Sequence, residues 1–190
     1  MLHVMNAHWD SKLFGDSCAG CHATAVDATT RRFEAISLDC FVCHGDVPAD
    51  HTERPRLARF SDTWPGAARE QMSVCGQCHL RGGRSKSSGL PYPYNFVPGD
   101  NLFRDFQVDL SPEAIATANP ADGHILDTVR TVVLSGQEDV TCLSCHDVHA
   151  QSTDKHQLLG ESKLCVHCHH AEGPNSQLKS FTAHSPTCGY

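Results

Sequence analysis

Five short segments share one pattern: two cysteines three positions apart, with a histidine directly after the second. They are Cys18/Cys21/His22, Cys40/Cys43/His44, Cys75/Cys78/His79, Cys142/Cys145/His146 and Cys165/Cys168/His169, and they consume ten of the eleven cysteines. C-x-x-C-H is the attachment sequence for a c-type haem. The two thiols add to the porphyrin vinyl groups and the histidine reaches the iron from the proximal side. The main competitor is zinc, which ribbons bind through paired C-x-x-C knuckles. Five is an odd number of knuckles, and every one is followed by His. With 14 histidines in 190 residues, chance would place His after all five roughly two times in a million. Disulfide and thioredoxin-type readings fail on the same point. The cofactor expected is therefore haem c, five copies, on these ten thiols and five proximal histidines.

A chain this long is expected to form one domain, 1–190. Its hydrophobic content is only 39%, with 14 Gly and 10 Pro, so five apolar porphyrin plates would have to complete the core. The fold class expected is mainly α with long loops, wrapped around closely packed haems. Successive first cysteines are 22, 35, 67 and 23 residues apart, which predicts close haem pairs at the two ends joined through the middle site. Pro65 starts a predicted helix that delivers Cys75, and Ser111-Pro112 starts another. Asp122 is the predicted cap of a third, with Ile125, Val129, Val132 and Val133 on one face and a stop at Gly136; its β-branched content also admits a strand. Residues 81–99 read as loop, where Arg81 is either solvated or paired with a haem propionate.

Nine histidines remain for the distal side of the irons. His149 lies three residues beyond its own proximal His146, too close to fold back over the same iron, so it is expected to reach a neighbouring haem. His51 stands in the same sense to His44, at a greater distance. His124 lies in the 67-residue gap, and His184 and His8 lie in the terminal segments. His3 and His156 are reserves, while His167 and His170 read as bland. Filling both axial positions suits electron transfer, because no substrate then binds iron.

The segments Cys40–His51, Val74–Gly82, Val140–His149 and Leu164–His169 resemble multihaem cytochromes c. The similar groups are the tetrahaem acceptors of hydroxylamine oxidation, pentahaem donors to nitrite reductase and octahaem relatives. That resemblance implies distal roles for His51 and His149, electron transfer rather than catalysis, and redox proteins as partners. A C-x-x-C-K site, found in related nitrite reductases, is absent. Alternatives are a subunit of a cytochrome filament or larger redox complex, or a reductase or oxidase of small nitrogen or sulfur compounds.

The net charge of −7 disfavours nucleic acid, which needs a basic face, and no apolar run approaches the length of a membrane span. Haem c attachment implies an exported protein, periplasmic or extracellular. Residues 1–6 lack a signal-peptide pattern, which reads as a trimmed piece of a longer chain. Cys188-Gly189-Tyr190 reads as the start of a sixth motif or as a free thiol. Without cofactor the chain should be largely unfolded. Far-ultraviolet circular dichroism of haem-free protein tests this, and a cooperative, compact transition would contradict it.

Overall fold

The computed structural model describes residues 10–27, 29–45, 49–50, 53, 67–134, 140–150 and 156–158. Within them the chain is mostly helical, with little regular structure and one minimal sheet. The helices are α1 (Ser11–Ser17), α2 (Ala19–His22), α3 (Cys40–His44), α4 (Ala67–His79), α5 (Pro112–Thr117) and α6 (Pro120–Thr128). No helix is long and apolar enough to cross a membrane, among the described residues.

Side-chain caps start these helices. Asp10 accepts from Leu13 N at the head of α1, Asp39 from Val42 N at α3, and Ser111 from Ala114 N at α5, with Pro112 in the first turn. Each satisfies an amide that the helix itself leaves unpaired. The sequence placed the α6 cap at Asp122, three residues late. Asn119 is the cap, its side chain accepting from Asp122 N, and Pro120 opens the helix. Both residues suit their positions equally well by type, and the Pro at N1 settles the register. The strand alternative does not form: after α6 the backbone continues as a π-helical turn, Val129–Val133. Gly136 and Pro65 lie outside the described residues.

The region read as loop, 81–99, contains one strand. β1 (Arg84–Ser85) pairs antiparallel with β2 (Phe106–Gln107), Arg84 opposite Gln107 and Ser85 opposite Phe106. Asp105 locks the turn after β1, accepting from Ser85 Oγ at 2.5 Å and from Ser87 N at 2.9 Å. Those hydrogen bonds, Ser85's first, lower its carboxyl pKa. Such a pin replaces the alternating apolar pattern that announces longer strands.

The apolar residues are not spread evenly. Met72, Leu80, Leu102, Phe106, Leu126 and Val129 form one buried cluster between α4, α6 and the turn at Leu102–Arg104. Leu90 and Tyr92 form a second, with Val26 against them. The main cluster fills the 67-residue interval between the third and fourth motifs. Around the motifs the opposite holds: Leu38, Phe41, Val140 and Val148 are all exposed. A six-residue cluster is small beside the ordering entropy of a 190-residue chain, at roughly 1–2 kcal/mol per residue. The exposed apolar side chains at the motifs mark where further apolar surface is needed.

Phe106 is the most buried side chain of the cluster, and its ring fills the space a Cβ on Gly83 would need, at 2.3 Å. Phe106→Ala should cost about 3–5 kcal/mol, read as a lower denaturant midpoint of the holoprotein with its haem count unchanged.

Candidate haem-binding sites

The first three motifs sit on α-helical turns. Motif one is α2, with Cys18 as its N-cap; motif two is α3; and motif three is the last turn of α4. Residues i, i+3 and i+4 share one helix face, so a helical turn presents both thiols and the imidazole to the same side. Cys40 and Cys43 of motif two are exposed, while the thiols of motifs one, three and four are half-buried.

Motif four departs from this pattern. It begins as a 3-10 turn, Cys142–Ser144, where Thr141 and Ser144 cap each other reciprocally. Cys145 is the C-cap just past the turn, at φ −118° and ψ −21°. Its N–H donates to Cys142 O at 3.2 Å, and that of His146 donates to the same oxygen at 3.0 Å. One carbonyl thus holds Cys142, Cys145 and His146 together where the helix is too short to do so. Leu158 N donates to Cys145 O at 3.0 Å, which ties this thiol's backbone to the loop that follows. The physical reason is that a tight 3-10 turn runs out after three residues, and the second cysteine falls on its end. Motif five (Cys165, Cys168, His169) lies outside the described residues, as do His3, His8, His51, His167, His170, His184 and Cys188.

α4 is the hub. It packs against α2, against α3 and against the motif-four turn. Cys21 of motif one points its Sγ at the carbonyl oxygens of Gln77 and Cys78, at 3.9 and 3.8 Å. Gln77 Nε2 in turn donates to Val42 O of motif two at 3.1 Å. The Cys75 and Cys142 thiols lie close enough for each to shift the other's ionisation. So the fold brings motif one to motif three and motif three to motif four. The bond to Val42 brings motif two to motif three as well, so the middle motif is the junction that the intervals led one to expect, while the pairing of motif four with motif five lies outside the described residues.

The thiol environments follow from these contacts. The neighbouring Cys78 side chain lowers the Cys21 pKa to about 7, against the opposing effect of burial, with the Arg81 charge adding to the lowering. The Cys21 side chain and burial raise Cys78. Cys75 is raised by the Cys142 side chain and by burial, and Cys142 is lowered by the Cys75 side chain. These shifts belong to the free-thiol form, since a thioether carries no proton. Burial and the Arg81 charge lower the His79 pKa, which favours the neutral imidazole a metal requires.

The ring of His149 comes to that of His44. Their centroids are 6.0 Å apart and their planes differ by 12°. An Asx turn aims His149, with Asp147 Oδ1 accepting from His149 N at 3.0 Å and Ala150 N at 3.2 Å. Two imidazoles bound from opposite sides of one metal, with metal–nitrogen bonds of about 2 Å each, have centres about 6 Å apart. Offset aromatic packing occupies the same range. His124 is exposed on α6. His156 stays at motif four's own loop: its Nδ1 lies 2.9 Å from Ala150 O, an acceptor, so Nδ1 is the donor. Asp147 and Tyr92 are site residues that the sequence did not reveal. Tyr92 is buried, donates to Gly15 O at 2.5 Å, and lays its ring over Gly20 inside motif one.

The donor set fits haem c. Exposed apolar side chains flank motifs two and four, and a cleft of ≈ 310 Å³ between motifs one and two is lined by Phe41, Val42, Tyr92 and Phe96. Among the described residues no three His, Cys, Asp or Glu side chains gather as a metal-ion site of their own.

No family model matches the chain. It is similar to the cytochrome c-type protein NrfB of Escherichia coli O6:H1, 25% identical over 160 residues, which cover 82% of this chain and 60% of that protein. It is also similar to the DnaJ protein homolog XDJ1 of Saccharomyces cerevisiae, 28% identical over 151 residues, 77% of this chain and 29% of that protein. The chain thus spans less than two thirds of either relative. Among solved structures, the outer cell wall cytochrome OcwA aligns over 85% of this chain and 40% of its own, at 24% identity and a TM-score of 0.41, below what a shared fold requires. The two curated names belong to different classes, so the motifs must discriminate. A histidine after every second cysteine agrees with the likeness to NrfB and supports a c-type cytochrome.

A Cβ on Gly20 would lie 2.1 Å from the Tyr92 ring. Gly20→Ala should therefore displace motif one at a cost of about 1–3 kcal/mol. Thermal unfolding reads the loss, and intact mass should show a fraction lacking one haem.

Proposed function

We propose that this chain is an exported electron-transfer protein carrying five covalently bound c-type haems, most of them bis-histidine ligated. Haem c supplies one-electron exchange at its iron. The chain's residues hold the plates, fill their axial positions and set their surroundings. The observation that carries the reading is the approach of His149, on the motif-four segment, to His44 of motif two. In this reading His44 and His149 would together hold the iron of the second haem. One short segment, His146 to His149, then serves two irons, and Asp147 between them fixes the turn. An iron with both axial positions filled exchanges electrons with little rearrangement and offers no site to a substrate, which favours a carrier over an enzyme.

α4 supports a short internal path. Motifs one and four each reach motif three through cysteine contacts, and His79 and His146 lie within electrostatic reach of each other. Electrons would cross between the haems held there, entering and leaving at exposed edges. The partners are redox proteins, which an acidic surface steers most strongly at low salt. Distal roles for His8, His51, His124 and His184, with His3 and His156 in reserve, belong to the same proposal. So does the periplasmic or extracellular location, as haem attachment takes place outside the cytoplasm.

His149→Ala should leave every haem attached by mass, yet convert one low-spin ferric signal to high-spin in electron paramagnetic resonance. The reduced variant should bind about one carbon monoxide per chain, and the parent should bind none. An unchanged low-spin spectrum in the variant would remove His149 from the ligand set. Stoichiometric carbon monoxide binding by the parent would favour an enzyme.

A further inference from the structure

Arg81 does not face solvent unpartnered. Its Nε lies 3.0 Å from Asp122 Oδ1, joining the loop after motif three to the first turn of α6. The two partners are unequal. The Asp122 side chain is only 13% exposed, whereas that of Arg81 is 65% exposed. Asp122 is further held by Asn119, whose amide donates to the other carboxylate oxygen. Oδ1 is buried and, although close to Arg81, is not aligned as the acceptor of a hydrogen bond. Its negative charge is therefore imperfectly neutralised and poorly screened. Leu80, between His79 and Arg81, is 2% exposed and anchors this stretch in the main core. The pair is thus fixed by the fold at both ends, two residues from His79.

We propose that Arg81 and Asp122 form a fixed charge pair that sets the reduction potential of the haem attached at Cys75 and Cys78. This rests on the haem reading of that motif. Asp122 acts as a mostly buried anion and Arg81 as its water-facing counter-charge. A nearby negative charge stabilises the ferric state, which bears one more positive charge than the ferrous, and so lowers the potential. A nearby positive charge raises it. Exposure predicts unequal strength. Coulomb interactions of a buried charge are screened less than those of an exposed one, so Asp122 should dominate. Neither residue touches a haem thiol or is offered as an iron ligand, so both are positioning residues for charge.

The test is a potentiometric titration of holoprotein Asp122→Asn, Arg81→Gln and the double variant, followed in the Soret band and by electron paramagnetic resonance. Intact mass first confirms that each variant carries the parent's haems; a parent without haem would defeat the underlying reading, not this one. The expected result is a midpoint that rises in Asp122→Asn and falls, by less, in Arg81→Gln, with the largest shift at one haem. The Arg81→Gln shift should fade as salt rises, while the Asp122→Asn shift persists. Shifts in the same direction, equal shifts in all haems, or no shift with the haem complement intact would overturn the proposal. If Asp122→Asn fails to fold, the opposite-signed, salt-sensitive shift in Arg81→Gln alone decides the matter.

Discussion

A single turn of helix sets the geometry on which everything else depends. It places thiols at i and i+3 and an imidazole at i+4 on one face, so one local conformation presents all three groups together. α2, α3 and the end of α4 each do this within five residues or fewer of their motif's start. At motif four a shorter turn suffices, because the Cys142 carbonyl holds both Cys145 and His146. Covalent attachment at such turns would make each cofactor part of the chain's own packing. The helices can then be very short, because a plate bonded to them takes the place of a second apolar layer. Isolated helices of four or five residues have no stability of their own.

The described residues divide the labour accordingly. Between motifs three and four the chain builds a conventional apolar cluster centred on Phe106, Leu80 and Leu102. Beside motifs two and four, Leu38, Phe41, Val140 and Val148 lie exposed. α4 belongs to both regimes, since Met72 and Leu80 pack into the cluster while Cys75, Cys78 and His79 face the other motifs. That double duty makes the third motif the point where protein packing and haem placement meet. Gly76, inside that motif, lies against Leu80 and Leu102, where a Cβ would come within 3.0 Å of both. The approach ties the motif's own backbone to the cluster.

The candidate motifs are legible in the sequence because their determinants are local. A five-residue pattern is read without knowing the fold, and so is the short reach from His146 to His149. The helical character of the chain, the start of α5 at Ser111-Pro112 and a helix leading to Cys75 were legible for the same reason. The α6 cap was misplaced because Asn119 and Asp122 compete as caps over three residues, and only Pro120 distinguishes them. β1 escaped notice since a two-residue strand has no period; Asp105 holds it from twenty residues away. The position of Cys145 beyond its turn was equally hidden, as its motif is spelled like the others. The neighbours of each motif were not legible at all. Intervals of 22 and 23 residues suggested pairs along the chain, but nothing local records that Cys21 meets Cys78 or that Cys75 meets Cys142. Arg81 shows the same limit, as its partner Asp122 lies 41 residues ahead on another helix.

The central claim is covalent attachment of five haems to the ten motif cysteines. Intact mass of the exported holoprotein under denaturing, metal-chelating conditions tests it most directly, because thioether bonds survive and coordinated metals do not. The account predicts the mass of the polypeptide plus five haems, with none of the ten motif thiols open to alkylation. A bare polypeptide mass, with those cysteines alkylated after chelation, would contradict it and return the motifs to zinc.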